Sequence, residues 1–310
     1  MDKVILTAAI TGAMTVPTQT DRLPLTPQQL IDDAVACAQA GAASIHIHAR
    51  DPQSAAPSHD QEVFGQVMRG IRERCDAVVV PTTGGGIHMT PEQRLQVVST
   101  WQPEMATCNM GSINFSIHRV ARRYASEDWK YDWEEAYVKD TENFIFPNTF
   151  RSIRTFIETM NASDTRPEFE LYDVGHIYNL EHFIRQGIVR MPVWLQFVMG
   201  VTGGIRATIQ DLVHMINTAD RVIGRENYNW SVIGVGYPHE FEIATTAMFL
   251  GGHVRVGLED NLFVRRRRLA GNAELVTRMR GIIEEFEREP ATPADVRSFL
   301  GLKGLGRVAY

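Results

Sequence analysis

Two histidines alternate with aliphatic residues in one apolar run, Ile45-His46-Ile47-His48-Ala49. If this run is a β-strand, His46 and His48 point to the same side and lie about 6.6 Å apart along the chain. Two imidazoles at that spacing can bind one metal ion. The alternative is a pair of core histidines, but each buried imidazole would then need its own hydrogen-bond partners. We therefore favour metal ligation.

The last apolar run of the chain carries charged residues in the same alternating way. Arg255 and Glu259 share one face of a strand predicted over residues 253–259. A charged face inside a fold is costly unless the charges are paired or bind a metal. We expect Glu259 to join the two histidines as third ligand of a Zn²⁺ or other divalent site that keeps a position open for substrate. An internal ion pair between Arg255 and Glu259, without a metal, remains open.

Two side chains of this last run suit acid–base and anion chemistry. Asp260 comes directly after Glu259, and we expect it to be free to act as a general base. Arg255 can anchor or polarise a carboxylate through charge-assisted hydrogen bonds. We assign both residues to catalysis.

Other predicted strands end in residues suited to a small ligand. The run Pro81-Thr82-Thr83-Gly84-Gly85-Gly86 combines two hydroxyls with glycines that allow close backbone approach, although a tight turn is the alternative. Asn109 suits a hydrogen bond to a substrate oxygen and suits a structural role equally well. We assign substrate binding to Thr82, Thr83, Gly85 and Asn109. Two residues at the end of the fifth predicted strand, Asp173 and His176, could support the residues that bind the ligand.

The elements that must position these residues alternate between strands and helices. Apolar, β-branched runs alternate with amphipathic runs, which is typical of βα units. Two predicted helices begin with a capping box and Pro at the first position, Thr26-Pro27 and Thr90-Pro91. We predict one (β/α)8 TIM barrel over residues 1–310, and a doubly wound open sheet is the weaker alternative. The eight predicted strands are Val4–Gly12, Ala43–Ala49, Ala77–Thr82, Met105–Met110, Glu168–Val174, Val193–Val201, Asn229–Val235 and His253–Glu259.

Composition excludes several classes of protein. The 310 residues carry a net charge of −6, which argues against binding to nucleic acid. The start lacks the layout of a signal peptide, and no apolar stretch is long enough for a membrane span. Three widely spaced cysteines predict reduced thiols in a cytoplasmic protein.

One segment breaks the βα alternation, and a basic run and the tail carry further features. Residues 115–148, rich in Trp, Tyr and charge, predict an insertion that covers the active face or a subunit contact. The run Arg265–Arg268 could contact phosphates of a ligand, although we favour a solvated helix start or a subunit contact. The glycine-rich tail, residues 301–310, predicts ordering by a neighbouring subunit.

Several of these motifs in combination resemble the β-keto acid cleavage enzymes. The resemblance runs from about Ile5 to Gly304. Its motifs are Ile45-His46-Ile47-His48-Ala49-Arg50-Asp51-Pro52, Thr82-Thr83-Gly84-Gly85, Asn109-Met110-Gly111-Ser112-Ile113-Asn114-Phe115, Glu170-Leu171-Tyr172-Asp173-Val174-Gly175-His176 and Val254-Arg255-Val256-Gly257-Leu258-Glu259-Asp260-Asn261.

The resemblance implies a fold, a metal and a reaction. It implies a (β/α)8 barrel and a divalent metal, usually zinc, held by the residues matching His46, His48 and Glu259. It also implies a base at Asp260, an arginine at Arg255 and a hydroxyl near Thr82. The family reaction condenses a β-keto acid with acetyl-CoA, and acetoacetate and a new acyl-CoA leave. The resemblance also implies a homo-oligomer, a dimer or tetramer.

The implied reaction accounts for these residue types. A β-keto carboxylate presents two oxygens to a Lewis acid, which favours loss of the C2 proton. Asp260 would take that proton, and Arg255 would stabilise the charge that develops.

One residue departs from the family's aminohexanoate-cleaving member. That enzyme carries an acidic residue after Thr-Gly-Ala of the first strand, where this chain has Thr11-Gly12-Ala13-Met14. Met14 cannot pair with a substrate ammonium, so we expect it to contact a β-keto acid of a different kind.

Two other function classes remain as alternatives. A metal-dependent barrel hydrolase of the amidohydrolase type also uses a His-x-His strand, but usually on the first strand and with a later histidine on strand six. The sixth predicted strand here begins Val193-Trp194-Leu195-Gln196-Phe197. A binding barrel without catalysis would not need Glu259 and Asp260 beside a histidine pair.

Overall fold

A computed structural model describes residues 3–310 and has eight parallel strands in one sheet. The strands are β1 Leu6–Ala9, β2 Ser44–Ile47, β3 Val78–Pro81, β4 Met105–Asn109, β5 Arg166–Leu171, β6 Val193–Met199, β7 Tyr228–Gly234 and β8 His253–Val256. The α-helices are α1 Pro27–Ala40, α2 Gln61–Arg74, α3 Pro91–Trp101, α4 Glu134–Asp140, α5 Phe150–Ala162, α6 Val174–Arg185, α7 Ile209–Val222, α8 His239–Phe249, α9 Asn272–Glu285 and α10 Pro293–Leu300.

The strands form a nearly closed barrel. The hydrogen-bonded order is β3-β2-β1-β8-β7-β6-β5-β4, so the first and last strands are neighbours. Within residues 3–310 no strand ladder joins β3 to β4. Instead, the Thr83 amide donates to the Thr107 hydroxyl (3.0 Å) and the Thr83 hydroxyl donates to the Thr107 carbonyl (2.6 Å). These bonds link the two edges of the sheet, and the TIM-barrel prediction is confirmed.

The predicted strands extend past the observed ladders at their carboxyl ends. The first was predicted to reach Gly12 but ends at Ala9, and the last was predicted to reach Glu259 but ends at Val256. The apolar pattern continues because the following loops are also buried, and burial alone does not distinguish a strand from a buried loop.

Helices α1 and α3 begin as their sequences predict. The Thr26 hydroxyl accepts from the Gln29 amide (3.2 Å), and the Gln29 side chain accepts from the Thr26 amide (3.1 Å). Thr90 and Gln93 repeat this capping box. Gly41 ends α1 with a φ of 117°, a left-handed conformation that favours glycine.

Helix α10 covers the amino end of the barrel. Its Val296 and Leu300 pack against Ile5, Ala43 and Met105, which lie at or just before the starts of strands. This apolar contact closes one end, so the carboxyl end is left for a ligand.

An antiparallel pair of short strands, Ile113–Asn114 and Ile145–Phe146, joins the two ends of the predicted insertion, residues 115–148. The pair encloses helix α4 and short 3₁₀ turns. Buried Glu134 accepts from the amide (2.8 Å) and hydroxyl (2.7 Å) of Thr18, in the loop after β1. The segment is therefore tied to the loops above β1.

The run Arg265–Arg268 is not a helix start. It forms the turn of a hairpin in which Phe263–Arg265 pairs with Arg268–Leu269, and helix α9 begins only at Asn272. Arg267 occupies the turn with a φ of 62°, and a positive φ of this kind marks a tight turn.

The tail of residues 301–310 contacts its own chain, and its ordering by a neighbouring subunit stays a prediction. The Ala309 amide donates to the Trp101 carbonyl (2.9 Å), and Lys303 donates to the Ser163 carbonyl (2.7 Å). Arg72 donates to the carbonyl of Tyr310, whose side chain is buried.

Two further predictions concern membrane spans and thiols. Across residues 3–310, no helix combines the length and the apolar character that a membrane span requires. Cys37, Cys75 and Cys108 carry free thiols.

Candidate active site

The two histidines of the opening motif face one another at the carboxyl end of β2. His46 lies in the strand and His48 follows directly after it, and both are buried. Their ring centroids are 5.1 Å apart. The Nε2 atoms of His46 and His48 lie 3.4 and 3.3 Å from the two carboxylate oxygens of Glu259. The structure thus brings together the three predicted ligands.

Glu259 reaches the histidines through a turn. Strand β8 stops at Val256, and the amides of Asp260 and Asn261 donate to the Gly257 carbonyl (3.0 and 2.9 Å). Gly257 has a φ of 151°, and a Cβ there would lie 2.0 Å from the Ala9 carbonyl oxygen. Only glycine fits that contact with β1. The predicted strand over 253–259 is therefore wrong in its last three residues, and the turn, not strand alternation, directs Glu259 inward.

The donor set fits a divalent metal ion. One ligand atom from each of His46, His48 and Glu259 lies within 4.8 Å of the others. Glu259 Oε2 is buried and lacks a hydrogen-bond partner among residues 3–310. Burial lowers the pKa of His46 to about 4, which keeps its imidazole neutral and able to coordinate. Two nitrogens and one carboxylate oxygen with room for substrate are typical of catalytic zinc.

Arg255 connects the two adjacent carboxylates. Its Nη2 lies 2.9 Å from Glu259 Oε1. Its Nε and Nη2 donate to the two oxygens of Asp260 at 2.8 and 3.0 Å. Burial alone would raise the pKa of Glu259, but Arg255 and the histidines hold it well below its usual value. The metal and ion-pair alternatives are thus compatible, because Arg255 pairs with the same carboxylate that faces the histidines.

The sequence predicted that Asp260 is free, and this is wrong. Arg255 donates hydrogen bonds to both carboxylate oxygens of Asp260. Burial raises the pKa of Asp260 to about 6, against the opposing charge of Arg255. A carboxylate offers about four lone pairs, so the two bonds to Arg255 leave capacity to accept a proton. Arg255 therefore orients Asp260.

Sequence reasoning gave no role to Glu170, which also lines this cavity. Its Oε1 lies 3.9 Å from Arg255 Nη1. Burial raises the pKa of Glu170 to about 8, against the opposing charge of Arg255, so the carboxyl is largely protonated at neutral pH. The sequence signal that could have indicated Glu170 is the alternation of Glu168 and Glu170 with Phe169 and Leu171 along a buried strand. Gln196 was missed too, and its Oε1 accepts from Arg255 Nη1 at 3.3 Å.

Four of the five residues assigned to substrate binding line the same cavity. Asn109 is buried, and both its Oδ1 and Nδ2 lack a partner within residues 3–310. Such unpaired buried groups are suited to a polar ligand. The Thr82 hydroxyl accepts from the Gly84 amide (2.8 Å). The four residues are Met14, Thr82, Gly85 and Asn109.

Thr83 is not among the residues that line the cavity. Its hydroxyl and amide are used by Thr107 in the link between β3 and β4. Asp173 and His176 also lie elsewhere. The Asp173 carboxylate caps α6 by accepting from the Gly175 amide (3.3 Å), and His176 Nδ1 accepts from the Tyr172 amide (3.2 Å).

A buried arginine positions the loop after β1. Arg50 is 0% exposed and donates to the Thr11 hydroxyl (2.7 Å) and to the carbonyls of Gly12 (2.8 Å), Thr15 (2.7 Å) and Ala55 (2.9 Å). The Thr15 hydroxyl in turn donates to the Leu258 carbonyl (3.0 Å). Arg50 thus links the His-x-His motif to the turn that carries Glu259.

The walls of the cavity are largely apolar. The cavity measures about 540 Å³ and opens at the carboxyl end of the barrel. The insertion contributes Phe115 and Phe146, and the barrel contributes Tyr172, Val198 and Ile233. The floor of the cavity is charged and is formed by Arg255, Glu259 and Asp260. A charged floor below apolar walls suits a small carboxylic acid with an apolar body.

Comparisons with known proteins agree with this architecture. A 3,5-dioxohexanoate:acetyl-CoA acetone transferase from Paraburkholderia graminis is 43% identical over 309 residues, which cover 99% of this chain and 98% of that protein. A 3-keto-5-aminohexanoate cleavage enzyme from Fusobacterium nucleatum is 35% identical over 305 residues, which cover 98% of this chain and 99% of that protein.

The solved structure of ObcA in a ternary complex with a C4-CoA adduct and oxalate has the same fold. It aligns with a TM-score of 0.71 at 19% identity, covering 91% of this chain and 68% of that one. The comparisons do not support the amidohydrolase-type alternative. The family described as beta-keto acid cleavage enzyme matches residues 3–302. The chain therefore belongs to the β-keto acid cleavage enzyme family.

Proposed function

We propose that this protein is a metal-dependent transferase that converts a β-keto acid and acetyl-CoA into acetoacetate and a new acyl-CoA. The convergence of His46, His48 and Glu259 beside the Arg255–Asp260 pair carries this proposal. The acetyl-CoA transferase among the relatives supports the choice of co-substrate.

His46, His48 and Glu259 would hold the metal, for which Zn²⁺ suits the donor set. When bound, such an ion supplies Lewis acidity that polarises carbonyl oxygens and favours loss of a proton from the neighbouring carbon. The residues of this chain account for the other requirements of the reaction.

Asp260 takes the proton from C2 of the β-keto acid, because it is buried in the cavity and Arg255 fixes its orientation. The C2 carbanion forms a bond to the acetyl carbon, and the thioester bond breaks to release the CoA thiolate. The thiolate then attacks the original ketone carbon, and the C2–C3 bond breaks with its electron pair going to C2 of acetoacetate, which takes back the proton held by Asp260. Atoms balance, since one acyl group replaces another on each partner. Arg255 stabilises negative charge through these steps.

We propose a substrate whose distal group carries no positive charge. Met14 packs in an apolar cluster with Val16, Ile87 and Tyr137, and its sulfur lies 3.9 Å from the Tyr137 hydroxyl. Within residues 3–310, the acids that line the cavity are Glu170, Glu259 and Asp260, all adjacent to Arg255. A substrate ammonium therefore has no carboxylate to meet along the walls. The relative named for a dioxohexanoate, which has a neutral distal ketone, is consistent with this choice.

An acyl-transfer assay tests the proposal. The metal-loaded protein is incubated with acetyl-CoA and β-keto acids of matched length ending in a methyl, a ketone, a carboxylate or an ammonium group, and acetoacetate is measured. We expect the methyl or ketone substrates to react best. Absence of acetoacetate with every acid would contradict the transferase, and a preference for the ammonium substrate would contradict the role of Met14.

The remaining predictions concern the protein in the cell. We propose a homo-oligomer, a dimer or tetramer, in the cytoplasm. Light scattering of the purified protein measures the oligomer number, and a mass of one chain would contradict this proposal.

A further inference from the structure

The mouth of the active-site cavity carries two exposed arginines. Of the residues that line the cavity in the described part of the chain, those that are exposed to solvent are Arg123, Thr202 and Arg267. Arg123 ends the 3₁₀ helix His118–Arg123 in the insertion, and Arg267 lies at the turn of the Phe263–Leu269 hairpin. The two charges therefore come from separate segments of the chain at one opening.

Neither arginine is neutralised by an acidic side chain of the described residues. In residues 3–310 no ion pair involves Arg123 or Arg267, whereas the adjacent Arg268 pairs with Glu274. More basic side chains flank both: Arg119 and Arg122 on one segment, and Arg265, Arg266 and Arg268 on the other. Since the whole chain has a net charge of −6, this basic mouth is a local concentration.

The acids of the cavity do not neutralise these arginines. Glu259 and Asp260 already pair with Arg255, and Glu170 also lies beside it, with Oε1 3.9 Å from Arg255 Nη1. An anion at the mouth would thus be surrounded by Arg123, Thr202 and Arg267 and by none of these acids, while a carboxylate deeper in the cavity would lie beside Arg255. The mouth and the floor therefore suit two different anionic groups.

We propose that Arg123 and Arg267 bind the phosphate groups of the acyl-CoA, an inference that rests on the proposed function. Guanidinium groups bind phosphate through paired, charge-assisted hydrogen bonds. The nucleotide end of CoA is strongly anionic and suits the exposed mouth, whereas its pantetheine arm and acyl group suit the apolar walls leading to the histidines. Bound in this way, the thioester is directed to the floor.

The test compares acetyl-CoA with acetyl-pantetheine, which has the same thioester and arm but lacks the nucleotide phosphates. The variants are Arg123→Gln, Arg267→Gln and the double variant. Arg266→Gln is the matched control, because Arg266 is exposed on the same hairpin but does not line the cavity. Each variant is checked for an unchanged melting temperature and metal content.

We expect KM for acetyl-CoA to rise about tenfold in each single variant and about 100-fold in the double variant, as the loss of one or two charge-assisted contacts implies. KM for acetyl-pantetheine, KM for the β-keto acid and kcat should stay within about twofold of the starting protein, since a tenfold change is what one such contact accounts for. Arg266→Gln should behave as the unmodified protein does.

Three results would overturn the inference. A rise in KM for the β-keto acid would mean that the arginines contact its distal group. Equal rises with acetyl-pantetheine would place their effect on the thioester, and an equal effect of Arg266→Gln would reduce it to general surface charge. If the unmodified protein transfers no acetyl group, the proposed function fails. Calorimetry with CoA alone then decides the inference, which stands only if binding is present and the double variant loses it.

Discussion

The floor and the mouth of one cavity hold their charges in opposite ways. At the floor, Arg255, Glu259 and Asp260 are largely buried, and polar atoms of Arg255 lie within 3.0 Å of both carboxylates. At the mouth, Arg123 and Arg267 are exposed and belong to excursions from the barrel. Buried charges are costly to keep and are retained where they are paired or functional. Exposed arginines carry little desolvation cost, and their guanidinium groups are accessible to a ligand.

This contrast predicts two kinds of variant. Changes at the floor should alter metal content and turnover, because the proposed metal ligands and the proposed base lie there. Changes at the walls and mouth should alter apparent affinity and substrate choice. The predictions below test that division, from the largest expected effect to the smallest.

The largest effect should follow loss of a predicted metal ligand. In His46→Ala, one of three ligands is missing, so metal affinity should fall by more than the about 100-fold that changes in outer partners cause. Elemental analysis after dialysis measures the metal, and the exposed His88→Ala is the control. Full metal occupancy in His46→Ala would remove the ligand assignment.

Asp260→Asn should separate turnover from metal binding. The amide cannot accept the C2 proton, so kcat should fall about 100- to 10,000-fold, the usual contribution of a general base. Metal content should stay at that of the starting protein, and Asp132→Asn, an exposed position, should change neither quantity. An unchanged kcat in Asp260→Asn would exclude this residue as the base.

Arg50 tests whether the floor depends on the loop behind it. Arg50→Met leaves the carbonyls of Gly12, Thr15 and Ala55 without this donor. The free energy of unfolding should fall by about 3 kcal/mol, since each unsatisfied buried group costs about 1–3 kcal/mol and relaxation recovers part. Urea denaturation measures the change, and Arg50→Lys should lose less because it keeps a donor. Equal stability of Arg50→Met and the starting protein would contradict the linking role.

Met14→Glu tests the wall. The new carboxylate would be half-buried beside the apolar cluster, so kcat/KM for a β-keto acid with an uncharged tail should fall about 10- to 100-fold. The metal content and the reaction of a substrate with an ammonium tail are measured alongside. Met14→Leu, which keeps the apolar wall, is the matched control. A Glu variant that keeps its preference for the uncharged substrate would show that Met14 does not select the tail.

The smallest expected effect is a pH dependence of stability that comes from His253, at the amino end of the barrel. Burial lowers the pKa of His253 to about 4, and its Nδ1 accepts from the Ile5 amide (2.9 Å). As the pH falls, His253 is therefore protonated in the unfolded chain before it is protonated in the folded protein. Acid favours unfolding over the window from about pH 6.5 down to about pH 4. Between pH 6.5 and 5.5 the loss should be about 1 kcal/mol.

His253→Gln should remove that part of the pH dependence, because the amide oxygen accepts the same bond without titrating. Unfolding free energies of the two proteins at pH 6.5 and 5.5 give the comparison. The same pH slope in both would show that His253 does not contribute.

Much of the fold and part of the site could be predicted because the signals are local. The His-x-His alternation, the Thr-Pro capping boxes and the position of Met14 are read within a few residues. The hairpin at Arg265–Arg268, the link through Thr83 and the packing of the tail depend on residues distant in sequence. Neighbouring residues could not reveal them.

By itself, the sequence determined an alternating barrel with two imidazoles two residues apart in one apolar run, since side-chain direction in extended chain follows from periodicity. Only the tertiary structure decided which charged groups meet. Glu259 faces the histidines because Gly257 turns against Ala9, and Asp260 is held by Arg255 because the same turn brings it back. Glu170 and the mouth arginines join this site from other parts of the chain. Coulomb interactions depend on distance in space, and the closure of the barrel sets those distances.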